Sequence, residues 1–130
     1  MADYIIGKGY LWQPVTGVTK FRFVKAGTVT QSATAVTGVN DITIGVVQET
    51  VSTTDAATGK VVIPVWEKPS RTRVVAGAAI AKGAKVAPMA DGRAQTAVTG
   101  QTVAGIAWTA AAAAGDEIEV DLVAALNVIP

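Results

Sequence analysis

Gly115-Asp116-Glu117-Ile118-Glu119-Val120-Asp121-Leu122 is the stretch from which the architecture is read. Carboxylates at 117, 119 and 121 alternate with apolar side chains at 118, 120 and 122. A period of two belongs to a strand with one wet and one dry face. Moving back along the chain, Thr102 to Trp108 reads as another strand, built around Gly105. Arg71-Thr72-Arg73-Val74-Val75 puts both arginines on one face. Lys60 to Trp66 sets Val61, Ile63 and Val65 together, and Pro64, which has no N–H to donate, predicts a sheet edge or a bulge there. Ile42 to Gln48 is a strand whose Gly45 marks a bulge or a close backbone approach. Lys20-Phe21-Arg22-Phe23 alternates charge and ring, and Thr28 to Ser32 is a further short candidate. Ala78 to Pro88 holds a turn and a short strand, and Asp91-Gly92 is a hairpin signal.

Composition agrees with this pattern. Ala 24, Val 20, Ile 9 and Thr 16 stand against only three Leu, a balance that suits pleated sheet better than helix. Ala110 to Ala114 has good helix propensity but is too short to repay nucleation, so one helical turn is the most it predicts. Val51 to Gly59 reads as a loop. The 130 residues suit a single all-β domain, a small sandwich or barrel of about eight to ten short strands. A faint internal echo points to two similar β units. Lys25-Ala26-Gly27, Ile44-Gly45-Val46 and Gly59-Lys60 with Val61-Val62-Ile63 are answered by Ala81-Lys82-Gly83, Ala104-Gly105-Ile106 and Gly115-Asp116 with Ile118-Glu119-Val120, at offsets of 56, 60 and 56 residues.

Residues 1–19 differ from the rest. Tyr4-Ile5-Ile6 and Tyr10-Leu11-Trp12 are two apolar triplets separated by Gly7-Lys8-Gly9 and closed by Pro14, with neither helical nor strand periodicity. Two readings are open: a first strand that pairs with the core sheet, or an extended arm whose partner is another molecule. The domain division adopted is an arm over 1–19 and a β domain over 20–130, ending in a short apolar tail from Leu126 to Pro130.

The residues that are missing exclude several chemistries. Without Cys there is no disulfide, thiol nucleophile or thiolate zinc site, and without His there is no imidazole base. Eleven cations against ten anions leave a net charge of +1, no footprint for nucleic acid. Gly7-Lys8-Gly9-Tyr10-Leu11-Trp12 lacks the third glycine of a dinucleotide fingerprint. Thr58-Gly59-Lys60-Val61 lacks both the first glycine and the hydroxyl residue of a P-loop. Glu117, Glu119 and Asp121 read as a solvated strand face rather than a metal site. Lys68, Arg71 and Arg73 are too few, without interleaved aromatics, for nucleic acid, but paired arginine forks suit an acidic protein surface. Trp12, Trp66 and Trp108 read as core or interface anchors; an exposed one would suit a sugar ring.

The chain starts acidic, with no signal-like apolar region following. Between Arg93 and Asp116 lie 22 uncharged residues, but Gln, Thr and Gly make that span a poor membrane crossing. No cofactor, metal or membrane is expected.

From Phe23 to Val123 the pattern of Gly, small and apolar positions resembles a family of small tailed-phage proteins, the capsid cement or head-decoration proteins. It is carried by Gly77 through Ile80, Gly83 and Val86 to Asp91-Gly92, by Thr102-Val103-Ala104-Gly105-Ile106-Ala107, and by Gly115 through Leu122. The family is sometimes labelled a recombinase, a label the broken P-loop does not support. The resemblance implies a non-enzymatic β-rich protein made in the bacterial host's cytoplasm. It would bind the outer surface of the head, commonly as a trimer (a dimer is the other option), and clamp neighbouring major capsid subunits. The arm lies outside the pattern, as a variable element. Tyr4, Ile5, Ile6, Tyr10, Leu11 and Trp12, with Arg71 and Arg73, are the candidate capsid or oligomer contacts. Burying six large side chains contributes roughly 1.5–3 kcal/mol each, while ordering a dozen residues costs roughly 1–2 kcal/mol each. One arm alone would bind weakly, and several on one homo-oligomer would bind with avidity. The rival reading is a carbohydrate-binding β module of a phage tail or bacterial surface protein.

Overall fold

The computed structural model describes residues 8–128 except 15, 28–31, 39–40, 59–62 and 68–69. They form two five-stranded sheets. The first holds β1 (Lys8–Pro14), β2 (Phe23–Ala26), β3 (Ser32–Ala35), β4 (Thr43–Val47) and β5 (Ile63–Glu67), with the single-turn helix α1 (Thr53–Ala56) on the β4–β5 connection. The second holds β6 (Arg71–Val75), β7 (Lys85–Pro88), β8 (Ala94–Thr96), β9 (Thr102–Ala107) and β10 (Glu117–Val128). The chain is all-β, as its Val, Ile and Thr content implies.

The two sheets share one connectivity. The first runs β1-β5-β4-β2-β3 and closes into a barrel; the second runs β6-β10-β9-β7-β8. Every neighbour in both orders is antiparallel apart from β1 with β3, which is parallel. The second sheet repeats even that contact, through a parallel bridge between Ala76, just after β6, and Ala94 of β8. Gly45 pairs with Val24 and Glu67; Gly105 pairs with Val86 and Leu122. The echo at Ile44-Gly45-Val46 and Ala104-Gly105-Ile106 is therefore a true equivalence. The echo at Lys25-Ala26-Gly27 is not: Val24 corresponds to Val86, while Ala81-Lys82-Gly83 precedes β7. At the closing strands the register matches Ile63 with Ile118, both buried, so that echo slips by two residues.

Strand alternation divides the apolar residues between two cores. Val24, Val47, Ile63 and Val65 line the interior of the first barrel. Their neighbours Phe23 and Val46 turn the other way and are buried with Val74, Val86, Ile118 and Val120 of the second sheet. This shared core joins the units. Phe21, at φ 63°, shapes the junction: its N–H donates to Val47 O (2.8 Å) and its carbonyl accepts from Val75 N (2.9 Å). A positive φ on a bulky residue costs on the order of 1–3 kcal/mol and persists only where surrounding bonds impose it.

Several expectations are corrected. Lys20 to Phe23 is no strand; β2 begins at Phe23, because Phe21 turns the chain. Pro64 is not at an edge, since β5 lies between β1 and β4. Its carbonyl accepts from Gln48 N (3.0 Å) just beyond β4, so the missing N–H falls where that ladder ends. Ala110 to Ala114 forms turns and no helix: Asp116 Oδ2 accepts from the amides of Ala112 (2.8 Å) and Ala113 (3.2 Å) instead. The Val51–Gly59 loop contains α1, capped by Ser52, whose hydroxyl accepts from Asp55 N. Ile44 is the extra residue of a bulge between Thr43 and Gly45.

Of the two readings of residues 1–19, pairing with the core sheet is the one residues 8–14 follow. Lys8 to Trp12 pair in register with Glu67 to Ile63, and Gln13 and Pro14 pair with Ser32 and Ala33. Backbone N–H and C=O groups of β3 and β5 need partners, and residues 8–14 supply them by closing the barrel. Val18 is buried and bridges Val51. The tail is strand as far as Val128.

Candidate functional site

The outward face of the second sheet collects exposed side chains in cross-strand rows. Lys85 of β7 pairs with Ile106 of β9, Ile106 with Asp121 of β10, and Asp121 with Arg71 of β6. These four residues form one line across four strands spaced about 4.8 Å apart. One step along, Glu119 pairs with Arg73, and the amide of Trp108 donates to Glu119 O (2.8 Å). Glu117 lies a further step on, opposite Val75. All of this follows from alternation: Val74, Ile118, Val120 and Ala107 turn inward, so their neighbours turn outward.

The charges on this face largely neutralise one another. Arg71 donates through Nε to Asp121 Oδ1 (2.6 Å) and through Nη2 to Oδ2 (3.3 Å), filling its fork. Hydrogen bonding to Asp121 raises the Arg71 pKa above its usual value. Arg73 reaches diagonally to Glu117, Nη1 to Oε1 at 3.4 Å. The Arg71 guanidinium also lies 3.8 Å from the centroid of the Trp108 ring, a cation–π contact that fixes both side chains. Trp108 is 46% exposed and Ile106 37% exposed.

The sequence candidates fare differently. Arg71 and Arg73 share the exposed face, as expected, and each is bonded to the acidic row of its own sheet. The acidic row is likewise half of an intramolecular pairing. Tyr10, Leu11 and Trp12 are β1 positions opposite Val65, Pro64 and Ile63. Tyr4, Ile5 and Ile6 lie outside the described residues. Sequence reading did not single out Ile106 or bring Trp108 to the arginines. The signal was present in part, since Ile106 and Trp108 are two apart around a strand, but the β9–β10 register was needed to bring them beside Asp121 and Arg71.

Elsewhere, a small cleft between the units is lined by Val18, Thr19, Arg22, Phe23 and Asp91. Arg22 Nη1 donates to Asp91 O (3.3 Å). Burial works to raise the Asp91 carboxyl, yet the Arg93 amide and guanidinium hold it below the ordinary carboxylate range. Among the described residues no three acidic side chains converge on a point that could hold a metal, and no helix is long and apolar enough to cross a membrane.

Comparison with known proteins places this geometry. The fold is similar to the N base of head fiber gp8.5 in bacteriophage phi29, with a TM-score of 0.64 and 16% identity, over 89% of this chain and 93% of that one. At that identity the likeness is one of fold. No curated protein matches the chain. The family model described as phage cement protein matches residues 10–122, spanning both β units and the whole Trp108–Arg71 face. A match of that extent, on a fold shared with a phage head component, assigns the chain to the phage cement protein family, as a capsid-associated structural protein of a bacteriophage.

Proposed function

We propose that this protein cements the outer surface of a tailed-phage head, bridging neighbouring major capsid subunits and holding them against the pressure of the packaged DNA, without catalysing any reaction. The observation that carries the reading is the family match across residues 10–122. A nearly neutral chain with no His or Cys, with Arg71 and Arg73 paired to Asp121 and Glu117 on the exposed face, suits a role made of contact area rather than chemistry. The protein acts as a homo-oligomer, with a trimer favoured over a dimer. Several weak contacts on one particle then become intramolecular, and avidity supplies what a single contact lacks. Tyr4, Ile5 and Ile6, ahead of β1, add apolar contacts to a neighbouring subunit.

The test uses heads purified without this protein. Adding it back should saturate the outer surface at a fixed ratio to the major capsid protein, and should raise the temperature at which heads release DNA. Saturable binding with an unchanged release temperature would contradict the clamping role. Multi-angle light scattering on the free protein reads the oligomeric state, and a monomer that still binds heads tightly would contradict the avidity argument.

A further inference from the structure

The internal repeat identifies a face that lacks its cover. In the first unit, Phe23 and Val46 pair across β2 and β4 and are wholly buried, because the second sheet lies over them. Their equivalents are Lys85 and Ile106, which pair across β7 and β9 in the same register. Among the described residues nothing covers these: Lys85 is exposed, and Ile106 and the adjoining Trp108 are among the few large apolar side chains that face water. The same architecture thus carries one outward face that is packed and one that is open.

Building on the cement reading, we infer that the open face, centred on Trp108, Ile106 and Arg71, is the surface that meets the phage head, and that its partner is a near-neutral, apolar-centred patch of the major capsid protein. Two features set that chemistry. Trp108 is held beneath a guanidinium that Asp121 fixes at two points, so little side-chain freedom is lost on binding. Trp and Arg in such settings carry much of the energy of protein interfaces. The second feature is charge. Asp121 fills the Arg71 fork, and Glu117 takes Arg73. An acidic partner would meet arginines whose charge Asp121 and Glu117 already balance, whereas an apolar patch covers Ile106 and Trp108 without disturbing them. The groups without an ion pair on this face, Lys85 and Glu119, are of opposite sign and sit at different rows, so they favour a partner with no strong net charge.

Binding to heads purified without the protein tests this. Trp108→Ala should weaken binding on the order of 30-fold, the scale of one interface anchor, and Ile106→Ser should weaken it about 5-fold. Ile42→Ser, at an exposed apolar position on the first unit, should bind like wild type. Thermal midpoints of all three should stay near the wild-type value, which separates lost contact from lost fold. Wild-type affinity should change less than about 3-fold between roughly 0.05 and 0.5 M salt, since screening acts on unpaired charge. Wild-type-like binding by Trp108→Ala and Ile106→Ser would overturn the assignment of the face, as would variants that only dissociate an oligomer of the free protein, because a second copy would then be the occupant. A tenfold or greater loss with salt would overturn the neutral partner. Failure of wild type itself to bind heads would overturn the cement reading, a result distinct from either.

Discussion

Gly45 and Gly105 hold the same place in two copies of one five-stranded arrangement, each between β2 or β7 (Val24, Val86) and the closing strand (Glu67, Leu122). At Gly105 the reason for the missing side chain is visible. A Cβ there would sit 2.5 Å from Asp121 O and 2.6 Å from Val120 Cγ1, and a backbone carbonyl locked in a ladder cannot retreat.

Gly105→Ala should therefore destabilise the protein by roughly 1–3 kcal/mol or more, the cost of overpacking a closed site. Gly77→Ala is the control. Its Cβ would meet the Met89 thioether, but a Met side chain can swing aside, so the loss should stay below about 1 kcal/mol. Urea denaturation of both variants checks the contrast. Equal losses would mean that the β9–β10 contact is looser than these distances imply.

Truncation separates the two readings of the amino-terminal segment. Removing Met1 to Gly7 should leave a folded domain, with the β1 ladder intact. Removing Met1 to Trp12 deletes the residues that pair with Ile63 to Glu67, leaving β5 an open edge and lowering the thermal midpoint sharply or preventing folding. Circular dichroism melts distinguish these outcomes, and a stable, cooperative protein after the longer deletion would restore the independent arm.

Acid should weaken the fold through Asp41 and Asp91. The Thr37 amide donates to the Asp41 carboxylate (2.8 Å), and Lys25 Nζ lies 3.1 Å away. Despite some opposing burial, these hold the Asp41 pKa below its ordinary value. A carboxyl whose folded pKa is depressed contributes stability that is complete above its unfolded pKa, about 3.9 for Asp, and is lost as pH falls through the lower folded value. Asp41→Ala should melt lower than wild type at pH 7, and the two curves should converge as pH falls through the depressed folded pKa. A gap of constant size across that range would assign the loss to packing instead of charge.

Sugars should not bind at Trp108. Arg71 already lies 3.8 Å from the ring centroid, occupying one of the two faces on which a pyranose could stack. Titrating the protein with mono- and oligosaccharides while following Trp fluorescence should give no saturable change. A saturable one, abolished by Trp108→Ala, would favour the carbohydrate-binding module.

Much of the fold was legible because burial on one face writes itself into alternation. Thr102 to Trp108 was placed within a residue, Glu117 to Leu122 marked the start of a strand that runs on to Val128, and the glycine-centred echo was real. Errors came where the local pattern was overruled by a distant partner. Phe21 alternates like a strand residue, but bonds to Val47 and Val75 twist it into a turn. Pro64 looks like an edge residue, yet the barrel needs β5 on both sides, and only the ladder to β4 ends at the proline.

Sequence by itself determined that this chain folds as sheet and that it lacks the residues for imidazole or thiol chemistry, and it hinted at two related units through one true match at Gly45 and Gly105. Those follow from side-chain period and residue type, which are properties of the chain alone. Only the tertiary structure decided that residues 8–14 close a barrel, that Arg71 and Arg73 answer the acidic row of β10, and that Trp108 and Ile106 remain uncovered beside them. Strand register decided these points. It brings residues 50 apart, such as Arg71 and Asp121, within one strand spacing, through hydrogen bonds between backbone groups that are alike at every position.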